Sequence, residues 1–150
     1  MREPSFPPAR RVEIGDGVGL AAYEMGEARG ARPPVVLLHG WPEIARAWRR
    51  QLPAIAAAGF RAIAIDLKGF GASDAPHDVA AYSAAAMADD FVGLLNALDI
   101  DRAIFCGHDW GGAVVWPMAQ RRPARGARAL SVSTPPPAGR PPPPARRQRG

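Results

Sequence analysis

Three short, uninterrupted apolar runs limit what this chain can fold into: PVVLLHG at 34–40, RAIAID at 61–66 and RAIFCG at 102–107. None alternates between apolar and polar residues, so a strand built from any of them has no face suited to water. Such runs fit strands of a parallel sheet that is covered on both sides. Covering both sides takes helices, and the intervening sequence supplies them. A helix is expected over 44–58, interrupted by Pro53. A second spans 83–98, where Met87, Phe91, Leu94, Leu95 and Leu98 recur on one face. A third starts near Trp110 and runs toward Arg121. Ahead of the first run, RRVEIG (10–15) and GLAAYEMG (19–26) alternate in character and read as an antiparallel pair around Asp16-Gly17. ARALSVS (127–133) reads as a further strand. The whole is an α/β chain: a mostly parallel sheet with an N-terminal hairpin, flanking helices and right-handed crossovers.

Composition narrows the functional classes. The 150 residues, 47% of them hydrophobic, suit one domain with a buried core. No stretch of 18 apolar residues is present, so no membrane span and no membrane partner are expected. The N-terminal MREPSFPPARRVEIGDG has no apolar h-region and does not read as a secretory signal. Cys106, the single cysteine, has no partner for an internal disulfide and reads as a packed thiol, which fits the cytoplasm. The net charge of +5 is unevenly spread: residues 1–120 carry 11 Lys+Arg against 14 Asp+Glu, and residues 121–150 carry eight arginines and no acid. A mildly acidic body (1–134) therefore precedes a Pro/Arg-rich tail (135–150) that is expected to be extended or disordered. The tail lacks the aromatic residues and the recognisable module that a nucleic-acid partner would call for.

In an open parallel sheet, sites form beyond the carboxyl ends of the strands. Three glycine-containing segments fall there: HGWPE (39–43), DLKGFGASD (66–74) and GHDWGG (107–112). In the last, Gly107 and Gly111 flank Asp109 two residues away on each side. That spacing suits a sharp strand-to-helix turn that presents one side chain and tolerates no bulk beside it. The turn also sets Asp109 at a helix N-terminus, where backbone N–H groups are free. Asp109 as a plain N-cap is the other reading of the same hexapeptide.

LLHGWPE, DLKGFGASD, GHDWGG and VVWPMA, in this order and spacing across roughly residues 10–134, resemble the epoxide hydrolase branch of the α/β-hydrolase superfamily. The resemblance implies that Asp109 is a nucleophile on a nucleophile elbow. It implies that the backbone N–H groups of Trp41 and Trp110 form an oxyanion hole, and that DLKGFGASD is a structural turn lining the site. His39, Gly40, Pro42 and His108 are then candidates for binding a small-molecule substrate, with no cofactor and no metal. A carboxylate with a pKa of about 4 is already charged at neutral pH and can attack saturated carbon directly, so epoxides or alkyl halides are the implied substrates. A halide leaves as a stable anion, whereas an epoxide oxygen needs a proton donor. Trp110 is shared with haloalkane dehalogenases and does not separate the two, while Trp41 followed by Pro-Glu resembles epoxide hydrolases. Fluoroacetate dehalogenases usually carry arginine at the position of Trp110.

Other parts of the family's machinery are not identified in this chain. The histidines are His39, His77 and His108; none fits the family's general base, although His39 is the first suspect should a base be found. His39 is expected to shape its loop, His77 to lie in solvent, and His108 to point away from Asp109 by strand alternation. Tyr23 and Tyr82 precede GHDWGG, whereas the family's proton-donating tyrosines lie in a cap that follows it. Pro117 falls inside the third helix, and RRPARGARAL blurs the connection to the last strand. The chain thus reads as the front half of an epoxide hydrolase, truncated or frameshifted where the cap would begin, and is expected not to turn over. A dehalogenase-like hydrolase or a non-catalytic interaction module are the alternatives.

Overall fold

The computed structural model describes residues 5–132, 134 and 135, and for residues 126–132 the backbone alone. Strands β1 (Arg10–Gly15) and β2 (Val18–Met25) form the hairpin. Asp16 and Gly17 join them at φ of 53° and 75°, the pair of positive angles that a two-residue turn between right-twisted strands requires. The three apolar runs become β3 (Val35–Leu38), β4 (Ala62–Ile65) and β5 (Ala103–His108), and the backbone of β6 (Gly126–Val132) follows. The six strands lie in the order β1-β2-β4-β3-β5-β6. β4, β3, β5 and β6 run parallel, and the hairpin joins the sheet antiparallel through β2 and β4.

All four residues of β3 and all four of β4 are buried, because both faces of the sheet are covered. Val36, Leu38, Ile63, Ile65 and Phe105 belong to the core beneath α2 (Ala84–Ala97) and α3 (Trp110–Arg121). The alternate residues Val35, Leu37, Ala62 and Ala64 pack against α1 (Gln51–Ala57) and Trp48 on the other face. Ser83 caps α2, its hydroxyl accepting from the Ala86 N–H at 3.2 Å. The five apolar residues read from the sequence, Met87, Phe91, Leu94, Leu95 and Leu98, are all buried.

Two local expectations are corrected. The single helix over 44–58 is a 3-10 turn, Ala45–Trp48, followed by α1, and the break falls at Arg49 and Arg50, ahead of Pro53. Pro53 occupies the third position of α1, where a backbone N–H has no intrahelical acceptor to lose, so it does not interrupt the helix. Pro117 does lie inside α3, yet the helix continues past it to Arg121. Among the described residues no helix is long and apolar enough to cross a membrane. From residue 136 the expected Pro/Arg tail lies outside the described residues.

The core dictates where substitutions are felt. Leu94, fully buried between α2 and the sheet, should cost about 2–5 kcal/mol of unfolding free energy on replacement by alanine. Val79, 85% exposed, should change stability by no more than about 0.5 kcal/mol when likewise replaced. Urea unfolding of the two variants checks the contrast.

Candidate active site at the β3–β5 switch point

Chain direction around the sheet reverses at β3, since β4 lies on one side of it and β5 on the other. This opens a crevice beyond the carboxyl ends of β3 and β5. The register pairs Leu38 with Gly107, so the residues that follow, His39-Gly40-Trp41 and His108-Asp109-Trp110, face one another across the crevice.

Asp109 leaves β5 at φ 52° and ψ −113° and immediately precedes α3. That backbone conformation is strained for any residue with a side chain. The side chain of Asp109 makes no N-cap hydrogen bond to α3, so the simple capping reading does not hold. The neighbouring glycines are explained by steric fit. A Cβ on Gly107 would run into the Gly111 backbone, 2.6 Å from the Gly112 nitrogen, and one on Gly111 would strike the Leu38 carbonyl and lie 2.8 Å from that of His39. Across the crevice, a Cβ on Gly40 would lie 2.7 Å from the Asp109 Cβ. The two chain segments meet closely because glycine stands at these positions.

The Asp109 carboxylate accepts from the Trp41 backbone N–H, with 3.1 Å between the nitrogen and Oδ2. The Trp41–Pro42 peptide is cis. The Trp41 N–H bond and then the Trp110 N–H beside it hold the Asp109 carboxyl below the usual carboxylate range, and the neighbouring His108 adds to the effect. Trp41, whose N–H meets this carboxylate, and Trp110, which follows Asp109, are 64% and 53% exposed.

Polar contacts behind the crevice hold the Trp41 segment in place. His39 is fully buried; its Nε2 accepts from the Leu67 N–H at 2.9 Å, which leaves Nδ1–H to donate to the Gly40 carbonyl at 2.8 Å. With both ring nitrogens engaged and no exposed surface, His39 neither meets a ligand nor is free to accept a proton from water. Its bonds tie the Gly40 carbonyl to the turn at Leu67. Asp66, also buried, accepts from the Ala45 N–H at 2.7 Å, the Ala72 N–H at 2.9 Å and the Tyr23 hydroxyl at 3.0 Å. These bonds make DLKGFGASD a turn tied to the segment after β3. Within the same turn Lys68, 4% exposed at its side chain, pairs with Asp90 of α2 at 2.6 Å.

Strand alternation did not carry His108 away from the site, because it ends where β5 ends and Asp109 turns out of the strand. The His108 ring comes near Gly40, its Nδ1 3.1 Å from where a Cβ would sit there, and approaches Glu43 Oε2 at 3.4 Å. Glu43, which sequence reasoning did not single out, also accepts from the Gly40 N–H at 3.1 Å. Pro42 is exposed beside Trp41, and His77 is exposed in its loop. Tyr23 is committed to Asp66, and the Tyr82 hydroxyl donates to the Pro76 carbonyl at 2.8 Å. Burial pushes the Cys106 thiol up, consistent with a packed side chain.

Comparison with known proteins agrees with this geometry. Residues 33–149 match the family described as alpha/beta hydrolase fold, and the chain belongs to that family. It is 42% identical over 144 residues to the bifunctional epoxide hydrolase 2 of Sus scrofa, covering 90% of this chain and 25% of that protein. It is 45% identical over 120 residues to an epoxide hydrolase of Caballeronia sordidicola, covering 80% of this chain and 35% of that one. Epoxide hydrolase A from Mycobacterium thermoresistibile superposes with a TM-score of 0.79 at 42% identity, covering 87% of this chain and 40% of its own. The likeness is therefore to the epoxide hydrolase branch. The chain spans between a quarter and two-fifths of the length of these relatives.

Burial holds the His39 imidazole below its ordinary pKa. The unfolded chain then binds a proton on this residue near pH 6.5 that the folded chain refuses, so stability falls as pH drops below about 6.5. One such group contributes a slope of at most about 1.4 kcal/mol per pH unit. Urea unfolding between pH 7.5 and 5 should reveal this loss, and His39→Gln should flatten it.

Proposed function

We propose that Asp109 is the nucleophile of an epoxide hydrolase-like enzyme, seated on a nucleophile elbow, with the Trp41 and Trp110 backbone N–H groups as its oxyanion hole. The observation that carries this reading is the 3.1 Å hydrogen bond from the Trp41 N–H to Asp109 Oδ2 across the switch point. A charged carboxylate oxygen attacks an epoxide carbon, the ring C–O bond breaks, and an alkyl ester joins the substrate to Asp109. Water then attacks the carbonyl carbon of that ester, giving up its protons to solvent, and the two N–H groups meet the oxygen on which negative charge gathers. Collapse breaks the acyl C–O bond, releases the diol, whose oxygens take their protons from solvent, and restores the Asp109 carboxylate. One such donor is typically worth about 2.7–4 kcal/mol to that step. The names of the similar proteins favour an epoxide as substrate. An alkyl halide would undergo the same first step, its leaving anion needing only N–H donors.

Among the described residues, no histidine stands ready to activate the second water. His39 is bonded at both ring nitrogens, and His77 is in an exposed loop. His108 faces Glu43. Both tyrosine hydroxyls are bonded to other groups, so neither is offered to the departing epoxide oxygen. Loss of general-base help typically slows such a step by about 10²–10⁴-fold.

Incubation of the 150-residue chain with styrene oxide should therefore yield a slowly formed, sub-stoichiometric adduct at Asp109 by intact mass and peptide mapping, with little diol by chromatography. Asp109→Ala should abolish the adduct. An adduct that maps elsewhere, or that persists in the alanine variant, would refute the assignment. Sustained diol production lost in Asp109→Ala would uphold the nucleophile and require a base other than His39. A parallel incubation with an alkyl bromide separates the two substrate classes.

A further inference from the structure

Thr134 lies two residues past the end of β6 and belongs to no motif. The parallel register pairs His108 with Val132, so the chain leaving β6 runs beside the turn that carries Asp109. From there the Thr134 hydroxyl donates to the Asp109 backbone carbonyl at 2.7 Å. That carbonyl also accepts the Ala113 N–H, the first bond of α3, at 3.1 Å. Thr134 is held in turn by α3, since the Trp116 indole Nε1–H donates to its carbonyl at 3.0 Å.

The peptide unit fixed in this way has a second end. The Asp109 carbonyl and the Trp110 N–H belong to one planar amide, so gripping the oxygen sets the direction of the hydrogen. The Trp110 N–H lies beside the Asp109 carboxylate and helps hold its pKa down, while the Trp41 N–H donates to Oδ2 at 3.1 Å. Asp109 itself sits at φ 52°, where a side-chain-bearing residue persists only if its surroundings hold it. We propose that Thr134 is a positioning residue: through the Asp109–Trp110 peptide plane its hydroxyl, anchored by the Trp116 indole, holds the strained Asp109 backbone so that the carboxylate stays on the Trp41 N–H. The inference deepens the role proposed for Asp109 and takes its catalytic meaning from that reading.

A packing role and a positioning role separate in the comparison of Thr134→Val, which keeps the shape and loses the donor, with Thr134→Ser, which keeps the donor. The first readout is independent of any reaction: the carboxyl titration of Asp109, followed by NMR on the full chain with labelled aspartate and assigned against Asp109→Asn. Wild type should titrate below the ordinary carboxylate range. Thr134→Val should move the midpoint up toward that range and displace the Trp110 amide resonance, while Thr134→Ser should leave both near wild type. The second readout is the rate of ester formation with styrene oxide. It should fall about tenfold in Thr134→Val, because a loosened carboxylate is less often oriented for attack, and recover in Thr134→Ser. If wild type forms no ester, the function proposed above fails, and the titration still decides the positioning role. Should Thr134→Val not fold, Trp116→Phe carries the test, since loss of the indole donor should move the same titration in the same direction. An unchanged Asp109 titration in the folded variant, or a serine variant shifted as far as the valine one, overturns the proposal.

Discussion

The buried Asp66 carboxylate is the contact on which the arrangement of this edge of the sheet depends. It is 1% exposed, and three donors meet it from three segments: Ala45, Ala72 and Tyr23. A charge so placed is tolerable only while it is hydrogen-bonded. The fold therefore keeps the segment after β3, the turn after β4 and strand β2 together or loses the carboxylate's stabilisation. His39 adds a fourth tie, from Leu67 to Gly40. The Trp41 N–H is consequently held by a segment fastened on both sides, at His39 and at Ala45, although Trp41 itself is exposed. A surface donor is thus fixed from within the core.

The strands were legible because burial on two faces leaves an unmistakable pattern. VVLL and AIAI admit no amphipathic placement, and their order with the intervening helices fixed which strand ends would neighbour one another. The crevice was legible for a related reason. Gly107, Gly111 and Gly40 mark places where backbone meets backbone, and a glycine spacing of that kind is visible in a sequence without any knowledge of the partner. Trp41 was found through the motif that contains it. The α2 face was read correctly because its apolar residues recur at helical spacing against a single neighbour, the sheet.

What sequence reasoning missed has a common physical character: it concerns which groups a polar side chain meets across long separations. Asp66 lies 43 residues from Tyr23 and Thr134 lies 25 from Asp109, and no local pattern announces either bond. His108 was misjudged because alternation is a property of strands and lapses at the first residue outside one. Pro53 was taken as an interruption because its place as the third residue of the helix is invisible until the start is known. Glu43 was present in a quoted motif, but the Gly40 N–H that it satisfies exists only once the segment bends.

The backbone angle of Asp109 carries a consequence for how this chain is to be judged as a product of evolution. A residue at φ 52° would be more comfortable as glycine, and a sequence shaped for folding alone would drift toward that choice. Aspartate there makes the native state less stable than it could be, in exchange for a carboxylate on the rim of the crevice. On the role proposed for Asp109, residue 109 is a point where durability and chemistry ask for different amino acids, and the chain bears the one that chemistry asks for. Attempts to harden this protein by relieving strained positions would select this one early, and would remove the group most suited to a reaction.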